Sequence, residues 1–129
     1  QACPTGAIVE PYVVDARLCI SYLTIELRGG REVISDELAS QMGNRIFGCD
    51  DCLDVCPFNL RADPTNEPAF THTPLTLAPS LDRLAQIGEE QFSTTFKESP
   101  LKRAKWSGLL RNVRIAQENH RRQTGGRAS

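Results

Sequence analysis

The sequence predicts a mostly α-helical fold with short strands, in which a cysteine-bearing module is followed by a small helical region. Three observations carry that reading. All five cysteines lie within the first 56 of 129 residues. Pro64, Pro68, Pro74 and Pro79 interrupt any regular element between 61 and 79. On both sides of that stretch, apolar residues recur at helical spacing between capping residues. The predicted organisation is a cysteine module over 1–60, a proline-rich connector over 61–79 and a basic helical region over 80–129.

The elements follow in order. Pro4-Thr5-Gly6 is a turn, and Ile8-Val9 and Tyr12-Val13-Val14 form short strands around Pro11. Asp15 is the expected N-cap of a helix from Ala16 to about Leu27, with Cys19, Tyr22, Leu23 and Glu26 on one face. Gly29-Gly30 ends it. Ser35, followed by Asp36 and Glu37, opens a second helix that Gly43-Asn44 closes. After the connector, Ser80 caps a short helix with Leu81, Leu84, Ala85 and Ile87 on its apolar side. Phe92 and Phe96, four apart, enter the core from the next helix. Ser99-Pro100 starts another segment, and Leu109, Val113 and Ala116 mark a last helix through about His120. Residues 123–127 are expected to be disordered.

The composition narrows the classes. A chain of 129 residues with 40% hydrophobic and 6% aromatic residues is one domain or two small ones. No apolar run approaches the roughly 18 residues of a membrane span, and no signal peptide opens the chain. The odd cysteine count argues against a closed disulfide framework and for a reducing, cytoplasmic setting. The net charge of −1 conceals a polarity: residues 97–129 hold nine basic side chains against Glu98 and Glu118, a net +7, which leaves −8 for residues 1–96. A basic end of this kind suits a polyanion partner, and equally a solvated helix face.

The cysteine spacing carries the chemistry. Cys49-x2-Cys52-x3-Cys56-Pro57 is close to the cysteine run of bacterial two-cluster ferredoxins, and Cys3-Pro4 reads as the tail of a second such run. The upstream cysteines of that second run would precede residue 1, so the sequence is expected to be a fragment of a longer protein. In two-cluster ferredoxins the last cysteine of each run ligates the other cluster. By that rule Cys49, Cys52, Cys19 and Cys3 hold one [4Fe–4S] cluster, and Cys56 belongs to a second. The module is then ferredoxin-like. A tetrahedral zinc site is the competing use of the same thiols, but it usually takes two compact Cys-x2-Cys pairs and leaves one cysteine unassigned. Gly6 and Gly48 are read either as close-approach positions beside the cluster or as ordinary turn residues.

Three separated segments resemble one family. Asp15-Ala-Arg-Leu-Cys-Ile-Ser-Tyr-Leu-Thr-Ile-Glu26, Gly43-Asn-Arg-Ile-Phe-Gly-Cys-Asp-Asp-Cys-Leu-Asp-Val-Cys-Pro-Phe-Asn59 and Ser99-Pro-Leu-Lys-Arg-Ala-Lys-Trp-Ser-Gly-Leu-Leu-Arg-Asn112 are similar, in order, to signatures of the epoxyqueuosine reductases. The resemblance implies the C-terminal part of an oxidoreductase that reduces epoxyqueuosine to queuosine in the tRNA wobble position. It implies two [4Fe–4S] clusters in the intact protein and a cobalamin bound mostly by an N-terminal part absent from this sequence. An isolated fragment of that kind is expected to be inactive.

The same resemblance directs the remaining site expectations. Ser21, Asp50 and Asp51, beside the cysteines, are the cobalamin candidates, with helix capping or local backbone bonding as the alternative. Lys102, Arg103, Lys105, Arg111 and Arg114 are the tRNA-phosphate candidates. Trp106 is more readily a core residue than a base-stacking one, and Arg111 has a within-helix capping role as its alternative. Expected partners are tRNA and an unidentified electron donor, without a membrane, and the expected state is a monomer. His72 and His120 read as surface residues. A plain ferredoxin-type carrier and a corrinoid reductive dehalogenase are the alternative classes.

Overall fold

The computed structural model describes residues 2–71 and 75–125. A hairpin of β1 (Ile8–Glu10) and β2 (Val13–Val14) opens the chain, paired antiparallel with Ile8 opposite Val14 and Glu10 opposite Val13. Six α-helices follow among the described residues: α1 (Ile20–Ile25), α2 (Asp36–Gln41), α3 (Asp51–Asp54), α4 (Leu81–Ala85), α5 (Glu89–Thr95) and α6 (Lys105–Gly125). Short 3-10 turns, among them Pro68–Phe70 and Pro100–Ala104, join them. The mostly helical fold with short strands is as the sequence predicts. His72 and Pro74 lie outside the described residues.

The caps show why the helices begin where they do. Ser35 Oγ accepts the Leu38 N–H, Ser80 Oγ the Arg83 N–H and Ser99 Oγ the Leu101 N–H, each satisfying an otherwise unpaired first-turn donor. The first helix departs from expectation. Asp15 does not cap it: its carboxylate accepts the Arg17 N–H at 2.9 Å, and the turn 15–19 closes through Leu18 N–H to Asp15 O. α1 therefore starts only at Ile20, with Cys19 in extended backbone at the N-cap position. That places Cys19 at a helix end, turned toward the neighbouring loops rather than along the helix face. The last helix is also longer than predicted and runs to Gly125, where disorder was expected from 123.

Two apolar clusters form the interior, and α6 lies between them. Ile20, Leu23, Ile34, Ala39 and Met42 pack with Ile115 of α6. Leu84, Ile87, Phe92 and Phe96 pack with Leu109 and Val113 of the same helix. The Phe92 and Phe96 rings sit 5.3 Å apart in a tilted pair, a favourable aromatic arrangement. One helix thus closes both cores, so residues on either side of the proline-rich stretch share an interior.

Candidate metal centre

Four cysteines line one cavity of about 170 Å3: Cys3, Cys19, Cys49 and Cys52. Pro4, Ala7, Ile8, Val14 and Ile20 supply apolar walls, and Asp51 sits at the edge. Each thiol arrives by a different route. Cys3 precedes the hairpin, Cys19 ends the turn before α1, Cys49 follows the α2–α3 loop and Cys52 lies in the first turn of α3. Gly48 has φ +75°, so the left-handed step into Cys49 is what demands glycine there. A Cβ at Gly48 would meet no protein atom within 4 Å. Cys56 is half-buried and is not among the cavity's lining residues. It lies just beyond α3, among the exposed Leu53, Val55, Phe58 and Leu60.

Among the described residues, no group of three or more histidine, cysteine or acidic side chains converges tightly enough to hold a single metal ion. A polynuclear cluster fills the space between its thiolates, and a cavity ringed by four cysteines fits that requirement. The donor set, all sulfur with an apolar surround, also matches iron–sulfur chemistry.

The thiols differ electrostatically. Burial raises the Cys3 pKa, but hydrogen bonds from the Thr5 side chain and from the Thr5, Ala7 and Ile8 amides outweigh it and leave the thiol below its ordinary value. The Ala7 N–H donates to Cys3 Sγ at 3.2 Å. Cys49 moves the other way: burial, with the Asp51 carboxylate beside it, pushes its thiol up. The Arg45 guanidinium grips Asp51 through Nη2 at 2.8 and 2.6 Å and holds that carboxyl below the usual range. Arg45 was not anticipated from sequence; its basic charge six residues before Asp51 is the only available signal.

The cobalamin candidates are placed unevenly. Ser21 Oγ accepts the Cys49 N–H at 3.0 Å and contacts Cys49 O, so it bonds the facing loop rather than its own helix. Asp51 is engaged by Arg45. Asp50 is exposed at the N-cap position of α3, yet its side chain makes no cap hydrogen bond. Of the three, Asp50 alone keeps a side chain not used within the module.

The basic candidates also separate. Lys102 and Lys105 line a cleft of about 240 Å3 with Trp106, and Arg114 faces an adjoining groove with Gly29, Gly30 and Arg31. Arg103 is exposed and paired with Glu26. Arg111 is a correction. It is 4% exposed, and its guanidinium donates to Leu23 O, Leu27 O and Gly29 O at the C-terminal end of α1 and to Asn112 Oδ1. Burial and the nearby Arg28 charge lower its pKa. A guanidinium enclosed in this way ties helices together and is withdrawn from phosphates. Trp106 packs in the second core and donates Nε1–H to Ile87 O at 2.8 Å, as the core reading predicts.

The comparisons with known proteins agree with this geometry. The profile of the 4Fe-4S double cluster binding domain matches residues 1–59. The cavity and the profile together define an iron–sulfur protein. The epoxyqueuosine reductase of Escherichia coli K12 is 49% identical over 117 residues, which is 91% of this chain and 30% of that protein. The enzyme of Shewanella oneidensis is 48% identical over 92% of this chain and 29% of its own length. A crystal structure of epoxyqueuosine reductase with an epoxyqueuosine-modified tRNA-Tyr stem loop superposes with a TM-score of 0.81 at 34% identity, covering 92% of this chain and 30% of that one. The Bacillus subtilis enzyme gives 0.82 at 32% identity, over 95% of this chain and 32% of its own. The chain is a homologue of the iron–sulfur portion of the epoxyqueuosine reductases and spans about a third of their length. No helix among the described residues is long and apolar enough to cross a membrane.

Proposed function

We propose that this chain is the electron-relay part of an epoxyqueuosine reductase, serving a cobalamin in the reduction of epoxyqueuosine to queuosine in tRNA. The observation that carries it is the apolar cavity shared by Cys3, Cys19, Cys49 and Cys52, in a chain homologous to those enzymes. When bound there, a [4Fe–4S] cluster supplies one-electron storage and transfer. The four thiolates hold it. The Ala7 N–H toward Cys3 Sγ stabilises negative charge on that sulfur, and Pro4, Ile8, Val14 and Ile20 put apolar surface against the site; both tune a cluster's potential. Cys56 is assigned to the second cluster of the double-cluster domain.

Cobalamin is assigned mainly to the portion of the relatives that this chain does not cover, and Asp50 is the side chain here available to it. The tRNA contacts fall to Lys102, Arg103, Lys105 and Arg114, whose exposed charges suit phosphate. The proposed setting is cytoplasmic, where thiols stay reduced, and the proposed state is a monomer supplied by a separate electron donor. The test is a transplant. The matched segment of the Escherichia coli enzyme is replaced by this chain, and epoxyqueuosine reduction is measured. Turnover is expected, because the exchanged segments are 49% identical. A folded, iron-loaded but inactive chimera would sink the proposal.

A further inference from the structure

The segment between α2 and α3 brings Cys49 to the cavity, yet it holds no helix or strand to fix its path. Side chains from two other helices do so instead. Gly43 O accepts from Asn119 Nδ2 at 2.8 Å, and Ile46 O accepts from Asn112 Nδ2 at 2.9 Å. The Gly48 N–H donates to Thr24 Oγ1 at 2.9 Å, and the Cys49 N–H to Ser21 Oγ at 3.0 Å. Two of these anchors belong to α1 and two to α6.

Asn112 differs from the other three. It is 0% exposed, and its amide nitrogen also donates to Thr24 O on α1 at 2.8 Å. Its Oδ1 accepts Arg111 Nε–H at 3.1 Å, which fixes which way round the amide lies. One planar group therefore bridges α1, which begins beside Cys19, and the loop that ends at Cys49. We infer that Asn112 is a positioning residue for the iron–sulfur site: it sets the separation of the Cys19- and Cys49-bearing backbones, and thereby the shape of the cavity between their thiolates. The inference rests on the iron–sulfur reading of the proposed function.

The chemistry is restrictive. Asparagine offers two N–H groups from one nitrogen, and both are used. Aspartate keeps the shape but presents oxygen to two carbonyl oxygens. Glutamine adds a methylene to a fully packed site. Asn119 supplies the comparison. It is 6% exposed and splits the same two donors between Ala39 O and Gly43 O, at the far end of the loop and, among the described residues, without a hydrogen bond to α1. A general loss of stability is expected from either substitution, whereas a change at the metal site is expected from Asn112 alone.

The experiment uses the anaerobically isolated, iron-loaded chain with Asn112→Asp and Asn119→Asp. It reads the rate of iron loss to a chelator and the electron paramagnetic resonance spectrum of the reduced protein. Asn112→Asp is expected to lose iron about 10-fold faster or more, the range seen when outer-shell partners of metal ligands are removed, and to shift the spectrum. Asn119→Asp is expected to keep the parent spectrum and to change the rate by less than about 3-fold. Equal acceleration in both, or a parent spectrum and rate in Asn112→Asp, overturns the inference. If Asn112→Asp does not fold, Asn112→Ala decides: it withdraws the donors to Thr24 O and Ile46 O without burying a charge, so a shifted spectrum supports the positioning role and a parent spectrum overturns it. An unsubstituted chain that holds no iron overturns both this inference and the reading beneath it; an iron-loaded chain with indifferent Asn112 overturns this one alone.

Discussion

Replacing Arg111 by methionine tests whether α6 is bound to the cysteine module through buried polar contacts. The substitution keeps an unbranched stem of similar length and deletes donors to Leu23 O at 2.6 Å, Leu27 O at 3.0 Å, Gly29 O at 3.2 Å and Asn112 Oδ1 at 3.1 Å. The losses are unequal. Gly29 and Arg28 are exposed, so water reaches that end of the helix. Leu23 is 2% exposed and Asn112 0%, so the acceptors there are orphaned, at about 1–3 kcal/mol each. Burial of the guanidinium opposes its charge, and relief of that penalty offsets part of the loss. The net expectation is about 3 kcal/mol. At about 4 °C per kcal/mol for a chain of this size, the melting temperature should fall by about 12 °C, followed by circular dichroism at 222 nm. Arg111→Lys should recover less than half, because one ammonium cannot fork to carbonyls on separate turns. A loss under about 1 kcal/mol, or full recovery with lysine, would refute the reasoning.

Three further outcomes are expected. Lys105 enters α6 at φ +63° and ψ 159°, a conformation costly for any residue with a Cβ, so Lys105→Gly should raise stability by about 1 kcal/mol in urea unfolding; a loss would contradict the strain. Ser80→Ala should cost about 1 kcal/mol by removing the acceptor for the Arg83 N–H, and Ser80→Asp should stay within about 0.5 kcal/mol of the parent. In the transplanted enzyme, alanine at Lys102, Arg103 and Lys105 together should weaken tRNA binding and flatten its dependence on salt, while Arg111→Lys leaves that slope unchanged; parent-like binding by the triple variant counts against the basic cleft.

Much of this molecule was legible in its sequence, for local reasons. Ser35, Ser80 and Ser99 are read as helix openers because a hydroxyl at the N-cap satisfies a donor within three residues. The hairpin around Pro11 and the pairing of Phe92 with Phe96 are likewise short-range. The cysteine spacing led to the four thiols that line the cavity because Cys-x2-Cys-x3-Cys-Pro turns are compact and recurrent. One failure is local and the others are long-range. Asp15 has the right chemistry for a cap, but its carboxylate closes a tighter turn with Arg17 and delays α1 to Ile20. Arg111 looked like one cation in a basic run, because nothing local reveals that it faces α1. Asn112 and Asn119, seven apart, fall on the same helical stripe as Leu109 and Ala116. Polar residues on an apolar stripe are the one signal that marks them, and their acceptors in the cysteine module become evident only once α6 is packed between the two cores.

The central claim is that four of the five cysteines share one site and Cys56 stands apart. The direct measurement is iron analysis of the anaerobically isolated chain, followed by alkylation and peptide mass spectrometry. The account predicts about four irons per chain, with Cys56 alkylated while Cys3, Cys19, Cys49 and Cys52 are protected. One zinc per chain, or protection of Cys56 with one of the other four labelled, would contradict it.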